Sequence, residues 1–202
     1  MSCNDGACCG GGCEEEMPNI PMFPGIKVNK PAPSFMNVVA YRKDKGDANG
    51  FTKVSMREYR GRWVVLFFYP RDFTFICPTE IKGFAKMEKE FHALGCDIIA
   101  ASTDSEWSHK NWFERDLPEV SFPILADTTL EISRAYGVLN DDGSSARGLF
   151  IIDPEGLVKY VVISTGSVGR SVKETLRVLK AVQSGDLCPV EWEVGEKTLG
   201  KA

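Results

Sequence analysis

The apolar run WVVLFFY at 63–69 and the mostly apolar CDIIAAS at 96–102 enclose a segment whose apolar residues recur at spacings of three and four. Segments of this length and apolar content read as strands covered on both faces. Between them Ile81, Phe84, Met87, Phe91 and Leu94 mark one stripe of a helix, and Gly95 is placed to end it. Strand, helix and strand in succession call for a sheet with helices packed on its faces.

The flanking segments extend this pattern. SFMNVVAYR and FTKVSM surround the polar KDKGDANG, as two edge strands around a turn would. Residues 105–115 predict a helix and FPILAD a short strand, while Thr128 with Glu131 forms a capping-box pattern ahead of LEISRAYG. GLFIID and LVKYVVI surround DPEG, a hairpin turn. Ser171 with Glu174 opens a last helix through Val172, Leu176, Leu179 and Val182, which Gly185 can close. The expected fold class is α/β, a mixed central sheet flanked by helices. The expected divisions are a Cys-, Gly- and Pro-rich extension over 1–29, one domain over 30–185, and an aperiodic, extended arm over 186–202.

The charges, 24 basic and 28 acidic for a net −4, are interspersed, so nothing favours a nucleic acid or a membrane surface as partner. The apolar runs fall short of the roughly eighteen residues of a membrane span, and residues 1–20 lack the apolar core of a signal peptide. A cytoplasmic location is expected. The seven cysteines do not resemble the paired framework of a small secreted domain, and with only two histidines a serine–histidine triad or a histidine-rich zinc site is disfavoured.

One cysteine is distinctive. In RDFTFICPTE, Cys77 lies in the loop leaving the 63–69 strand, and Pro78 suits the first position of the following helix, with Cys77 as its cap. Unpaired N–H groups and the positive end of the helix dipole favour a thiolate there. The bland alternative is a small hydrophobe plugging the junction. Thr74, three residues before it, and Glu80, three after, rule out a C-x-x-C dithiol, which leaves one nucleophilic sulfur with a hydroxyl nearby. Cys96 reads as core, His109 as a surface histidine rather than a partner of Cys77, and Trp112 and Trp192 as packing residues.

PRDFTFICPTE resembles the peroxidatic loop of the typical two-cysteine peroxiredoxins: proline, three residues, threonine or serine, two residues, cysteine, matched by Pro70, Thr74 and Cys77. ARGLFIID and VGRSVKETLR resemble the family segments carrying site arginines, here Arg147 and Arg170. DLCPVEW resembles the segment of the resolving cysteine, here Cys188. The likeness begins near Lys30 and continues almost to the C-terminus.

The resemblance implies a thioredoxin-like fold and a thiol peroxidase that reduces hydrogen peroxide and organic hydroperoxides without a cofactor. A free cysteine, with a pKa of about 8.5, is already a few per cent thiolate at neutral pH. Deprotonation alone therefore gains only about thirtyfold, whereas one placed donor is worth about a hundred- to a thousandfold. By resemblance the donors are the Thr74 hydroxyl, the Cys77 N–H and Arg147, with Pro70 shielding the sulfur and Glu80 and Arg170 orienting Arg147. A surface ion pair is the alternative for the last two.

Resemblance further implies a sulfenic acid on Cys77, resolved by Cys188 of a partner subunit, a homodimer or a ring of dimers such as a decamer, and reduction by thioredoxin or a dedicated flavoprotein reductase. WFERDLPEVSFPILAD lacks the Gly-Gly-Leu-Gly insertion of peroxide-sensitive members, and fourteen residues follow Cys188, so resistance to over-oxidation is expected. Cys3, Cys8, Cys9 and Cys13 could supply thiolates to a soft metal, although their spacing is not that of a standard finger. A redox-active or disordered tail is the alternative. The competing functions are a general disulfide oxidoreductase and a holdase-type binding protein.

Overall fold

The computed structural model describes residues 25–201. Cys3, Cys8, Cys9 and Cys13, and most of the expected 1–29 extension, lie outside the described residues. Seven strands form one sheet: β1 (Val38–Tyr41), β2 (Phe51–Val54), β3 (Trp63–Phe68), β4 (Cys96–Ser102), β5 (Ile124–Ala126), β6 (Arg147–Ile152) and β7 (Val158–Ser164). Their order is β2-β1-β5-β4-β3-β6-β7. β3, β4 and β5 run parallel to their neighbours among themselves and the remaining pairings are antiparallel, so the sheet is mixed. The helices are α1 (Cys77–Ala93), α2 (Glu106–Asp116), α3 (Glu131–Ala135) and α4 (Val172–Ser184).

β3 lies near the centre because its residues are apolar on both faces. Val65 and Phe67 point into one core with Ile81, Phe84 and Phe91 of α1, Trp112 and Phe113 of α2, and Leu176 and Leu179 of α4. Val64, Leu66 and Phe68 point into the other, with Ile132 of α3 and Tyr136. The Phe67 and Phe84 rings stack with centroids 4.4 Å apart, and truncating such a buried phenylalanine to alanine costs about 3–5 kcal/mol. α1 and α4 approach closely because Gly83 has no Cβ; one built there would meet Val172 Cγ2 at 3.0 Å.

The ends of the elements follow side-chain chemistry. Ser105 and Ser171 cap α2 and α4 by accepting from the Ser108 and Glu174 N–H groups, each at 3.2 Å. Glu174 does not complete its capping box, because its carboxylate turns to Arg177 at 2.6 and 2.7 Å. The box expected from Thr128 and Glu131 does not form. Asp127 instead accepts from the Ile132 and Ser133 N–H groups at 3.1 and 2.7 Å, a charged acceptor displacing a neutral one. The DPEG turn holds, with Asp153 accepting from Leu157 N–H at 2.7 Å and Gly156 at a φ of 79°.

The C-terminal segment is not extended, as its lack of periodicity suggested. It folds back on itself, Leu187 and Leu199 being joined to Gly200 and Leu187 by backbone bonds of 2.8 and 2.9 Å. Arg177 of α4 holds it by donating to the Trp192 carbonyl at 2.9 Å, and Trp192 is buried. Among the described residues no helix is long and apolar enough to cross a membrane.

Candidate active site

The loop at the carboxyl end of β3 delivers Cys77 to the first turn of α1. The helix begins one residue earlier than the proline suggested: Ile76 is already in the right-handed helical region at φ −85° and acts as the cap. Its carbonyl accepts from Thr79 N–H at 3.0 Å, which makes Cys77 the first helical residue and Pro78 the second. Proline has no N–H, so the Cys77 N–H is the free donor at this corner of the helix end.

The Cys77 sulfur is buried, and Arg147 Nη1 donates to it from 3.5 Å. Arg147 is the first residue of β6 and is itself buried. Its Nη1 also meets Glu80 Oε2 at 2.5 Å, and its Nε donates to the Gly166 carbonyl at 3.0 Å. Glu80 lies three residues beyond Cys77, on the same helix face. Its other oxygen accepts from the Arg170 backbone N–H and Nε, both at 2.7 Å, and Arg170 Nη1 donates to the Gly148 carbonyl. The Glu80, Arg147 and Arg170 side chains are 1%, 3% and 4% exposed, which excludes the surface ion pair.

Two guanidiniums and one carboxylate leave the cluster with one net positive charge beside the sulfur. Burial pushes the Glu80 carboxyl up, but the hydrogen bonds and charge of Arg170, followed by the charge of Arg147, outweigh it and hold the group below 4.5.

Thr74 and Pro70 share the loop. The Thr74 hydroxyl donates to the Arg71 carbonyl at 3.0 Å, so its proton is engaged within the loop. Cys188 lies elsewhere, with its sulfur 3.5 Å from Ser184 Oγ and 3.8 Å from the Ala181 carbonyl, at the C-terminal end of α4. Gln183 beside it donates to the Leu94 carbonyl at the far end of α1. A helix of 17 residues spans about 25 Å at 1.5 Å per residue, so the two cysteines of one chain stand at opposite ends of α1.

Cys96 is core, and burial followed by the charge of Asp97 raises its thiol far above the ordinary range. His109 is not a surface histidine. It is fully buried and bonded to Asp72, a contact that sequence spacing did not reveal, because the two groups are 37 residues apart. A hollow of about 870 Å³ lined by Phe35, Met36, Asp127 and Tyr136 lies away from Cys77.

The AhpC/TSA family model matches residues 28–161. A protein described as a peroxiredoxin in the rubredoxin operon of Clostridium pasteurianum is 50% identical over 179 residues, 85% of this chain and 98% of that one. A thioredoxin peroxidase of Trypanosoma brucei rhodesiense is 49% identical over 184 residues, 86% of this chain and 89% of that one. Among solved structures, the reduced 2-Cys peroxiredoxin of Plasmodium vivax superposes with a TM-score of 0.79 at 35% identity, covering 85% of this chain and 91% of that one.

Proposed function

The chain belongs to the AhpC/TSA family, the peroxiredoxins, and is therefore a peroxidase-type oxidoreductase; on that premise we propose that Cys77 is its peroxidatic residue and Cys188 its resolving residue. The observation that carries this reading is the buried sulfur at the first helical position, 3.5 Å from a guanidinium that Glu80 holds in place. The Cys77 thiolate attacks one peroxide oxygen, the O–O bond breaks, and the departing hydroxide or alkoxide takes up a proton to leave as water or alcohol. Arg147 and the Cys77 N–H stabilise charge on the oxygens, and preorganised donors of this kind supply the larger part of such accelerations. Thr74 turns its hydroxyl from the Arg71 carbonyl toward the substrate, and Pro70 keeps water from the sulfur.

The sulfur is left as a sulfenic acid, oxidised by two electrons. A Cys188 thiol condenses with it, forming a disulfide and releasing water. A disulfide needs Cα atoms within about 7 Å, and the length of α1 between the two cysteines of one chain supports a bridge to a partner subunit's Cys188. The first turn of α1 unwinds to allow it. An external dithiol, thioredoxin or a flavoprotein reductase, restores both thiols. The working form is then a homodimer or a ring of dimers, in a reducing compartment such as the cytoplasm. The domain is taken as 30–185 and the resolving arm as 186–202.

A general disulfide oxidoreductase is disfavoured by Thr74 at the position where a second cysteine would stand. The test is peroxide consumption in the presence of a dithiol. Cys77→Ser abolishes it if the proposal holds, and undiminished consumption by that variant rejects the proposal.

A further inference from the structure

Behind the loop lies a buried polar cluster that the chemistry above does not use. Asp72 Oδ1 accepts from the Tyr69 hydroxyl at 2.8 Å. Its Oδ2 accepts from Ser108 Oγ at 2.7 Å and meets His109 Nδ1 at 2.8 Å. The opposite ring nitrogen, Nε2, faces the Leu125 carbonyl of β5 at 3.2 Å, so the ring bridges the loop and the sheet. The Asp72 N–H donates to Asp104 Oδ2 at 2.9 Å. Burial, followed by the charge of Asp72, holds the Tyr69 phenol well above its usual range, so its O–H remains a donor.

Asp72 is therefore fixed by groups from the residue that follows β3, from α2 and from the turn before α2. The residue after it, Phe73, has a φ of 56°, a left-handed conformation that is strained for a bulky side chain. Such strain persists only where the surroundings over-determine it. The phenyl ring is half-exposed, between Trp112, with centroids 5.8 Å apart, and the Arg115 guanidinium, 5.0 Å from its centroid. Four residues later comes Cys77. The loop is thus anchored at one end, strained beside the anchor, and continuous with the helical turn that has to open.

We propose that Asp72, held by Tyr69, Ser108 and His109, is a positioning residue that latches the Cys77 loop in its closed, peroxide-reactive form, and that releasing this latch opens the first turn of α1. The inference rests on Cys77 being the peroxidatic residue, but its primary test needs no peroxide. A buried sulfur meets an alkylating agent only after an opening. Cys77 and Cys96 are both completely buried, so global unfolding exposes both sulfurs and loop release exposes Cys77 alone.

The experiment is site-resolved mass spectrometry of the reduced full chain treated with N-ethylmaleimide, comparing wild type, Asp72→Asn and the milder Tyr69→Phe. Alkylation of Cys77 accelerates by about tenfold or more in Asp72→Asn, the factor expected on loss of a charge-assisted hydrogen bond, and by less in Tyr69→Phe, while the Cys96 rate stays at the wild-type value. An unchanged Cys77 rate, or equal acceleration at Cys96, overturns the latch. A second readout separates the steps: the variants react more slowly with hydrogen peroxide yet form the disulfide faster from the sulfenic acid. Parallel slowing of both steps overturns it as well. Failure of the wild type to consume peroxide would reject the proposed function and leave the alkylation result standing.

Discussion

Glu80 Oε2 lies 2.5 Å from Arg147 Nη1, the same nitrogen that meets the Cys77 sulfur, so the carboxylate fixes the donor that touches that sulfur. Stability and reactivity are coupled through this one contact. Because Glu80 also binds Arg170, removing its charge leaves two buried guanidiniums without an anion.

Glu80→Gln is expected to lower stability by about 3–5 kcal/mol at pH 7, the usual consequence of breaking a buried ion pair. The folded carboxyl titrates below 4.5, so its contribution is complete above that value and is lost as pH falls through the lower folded value. Denaturant melts of wild type and variant should therefore differ most at neutral pH and converge in acid. A gap that stays constant down to pH ~3, below the ordinary carboxylate range, would show that the charge is not what matters.

Arg147→Gln removes the donor at 3.5 Å from the sulfur, and the second-order rate of peroxide reaction should fall by about a hundred- to a thousandfold. Arg147→Lys should recover little of it. One ammonium cannot reach the Gly166 carbonyl, Glu80 and the sulfur together as the planar guanidinium does. Stopped-flow measurement of the first turnover distinguishes these outcomes, and a lysine variant at wild-type speed would mean that charge alone suffices.

Cys188→Ser should leave the first equivalent of peroxide reacting at the wild-type rate and abolish later turnovers driven by a dithiol protein. Nonreducing electrophoresis after one equivalent of peroxide should give a covalent dimer for the wild type and none for the variant. A dimer band of equal intensity in both would remove Cys188 from the resolving role.

The sequence made the elements around the site legible where periodicity was strong: the 63–69 and 96–102 runs became β3 and β4, and the Ile81, Phe84 and Phe91 stripe became the buried face of α1. Cys77 was legible because strand, loop, proline and helix are contiguous. Its partners were not, since Arg147 and Arg170 meet Glu80 across 67 and 90 residues, and only the family likeness singled them out. His109 was misread because α2 carries few apolar residues, so its buried face could not be phased from the sequence. Thr128 lost the cap of α3 to Asp127 because the left-handed Leu130 moved the helix start, a backbone detail no residue pattern announces.

On the proposed mechanism a second peroxide competes with Cys188 for the sulfenic acid on Cys77, and the winner depends on how readily the first turn of α1 opens. The segment joining α2 to β5 is short and turned inward, with Leu117, Val120 and Phe122 in the core. Among the described residues none after Ser184 is helical, and the C-terminal segment folds back on itself beside α4. Among the described residues, opening is opposed by the helix end and by the anchors of its own loop. Capture by the thiol should win at low peroxide: dithiol-driven turnover in low-micromolar hydrogen peroxide should continue without loss, and sulfinic acid on Cys77 should accumulate only at much higher concentrations. Mass spectrometry of Cys77 during turnover reads this directly, and progressive inactivation at low-micromolar peroxide would mean that the turn opens more slowly than its surroundings imply.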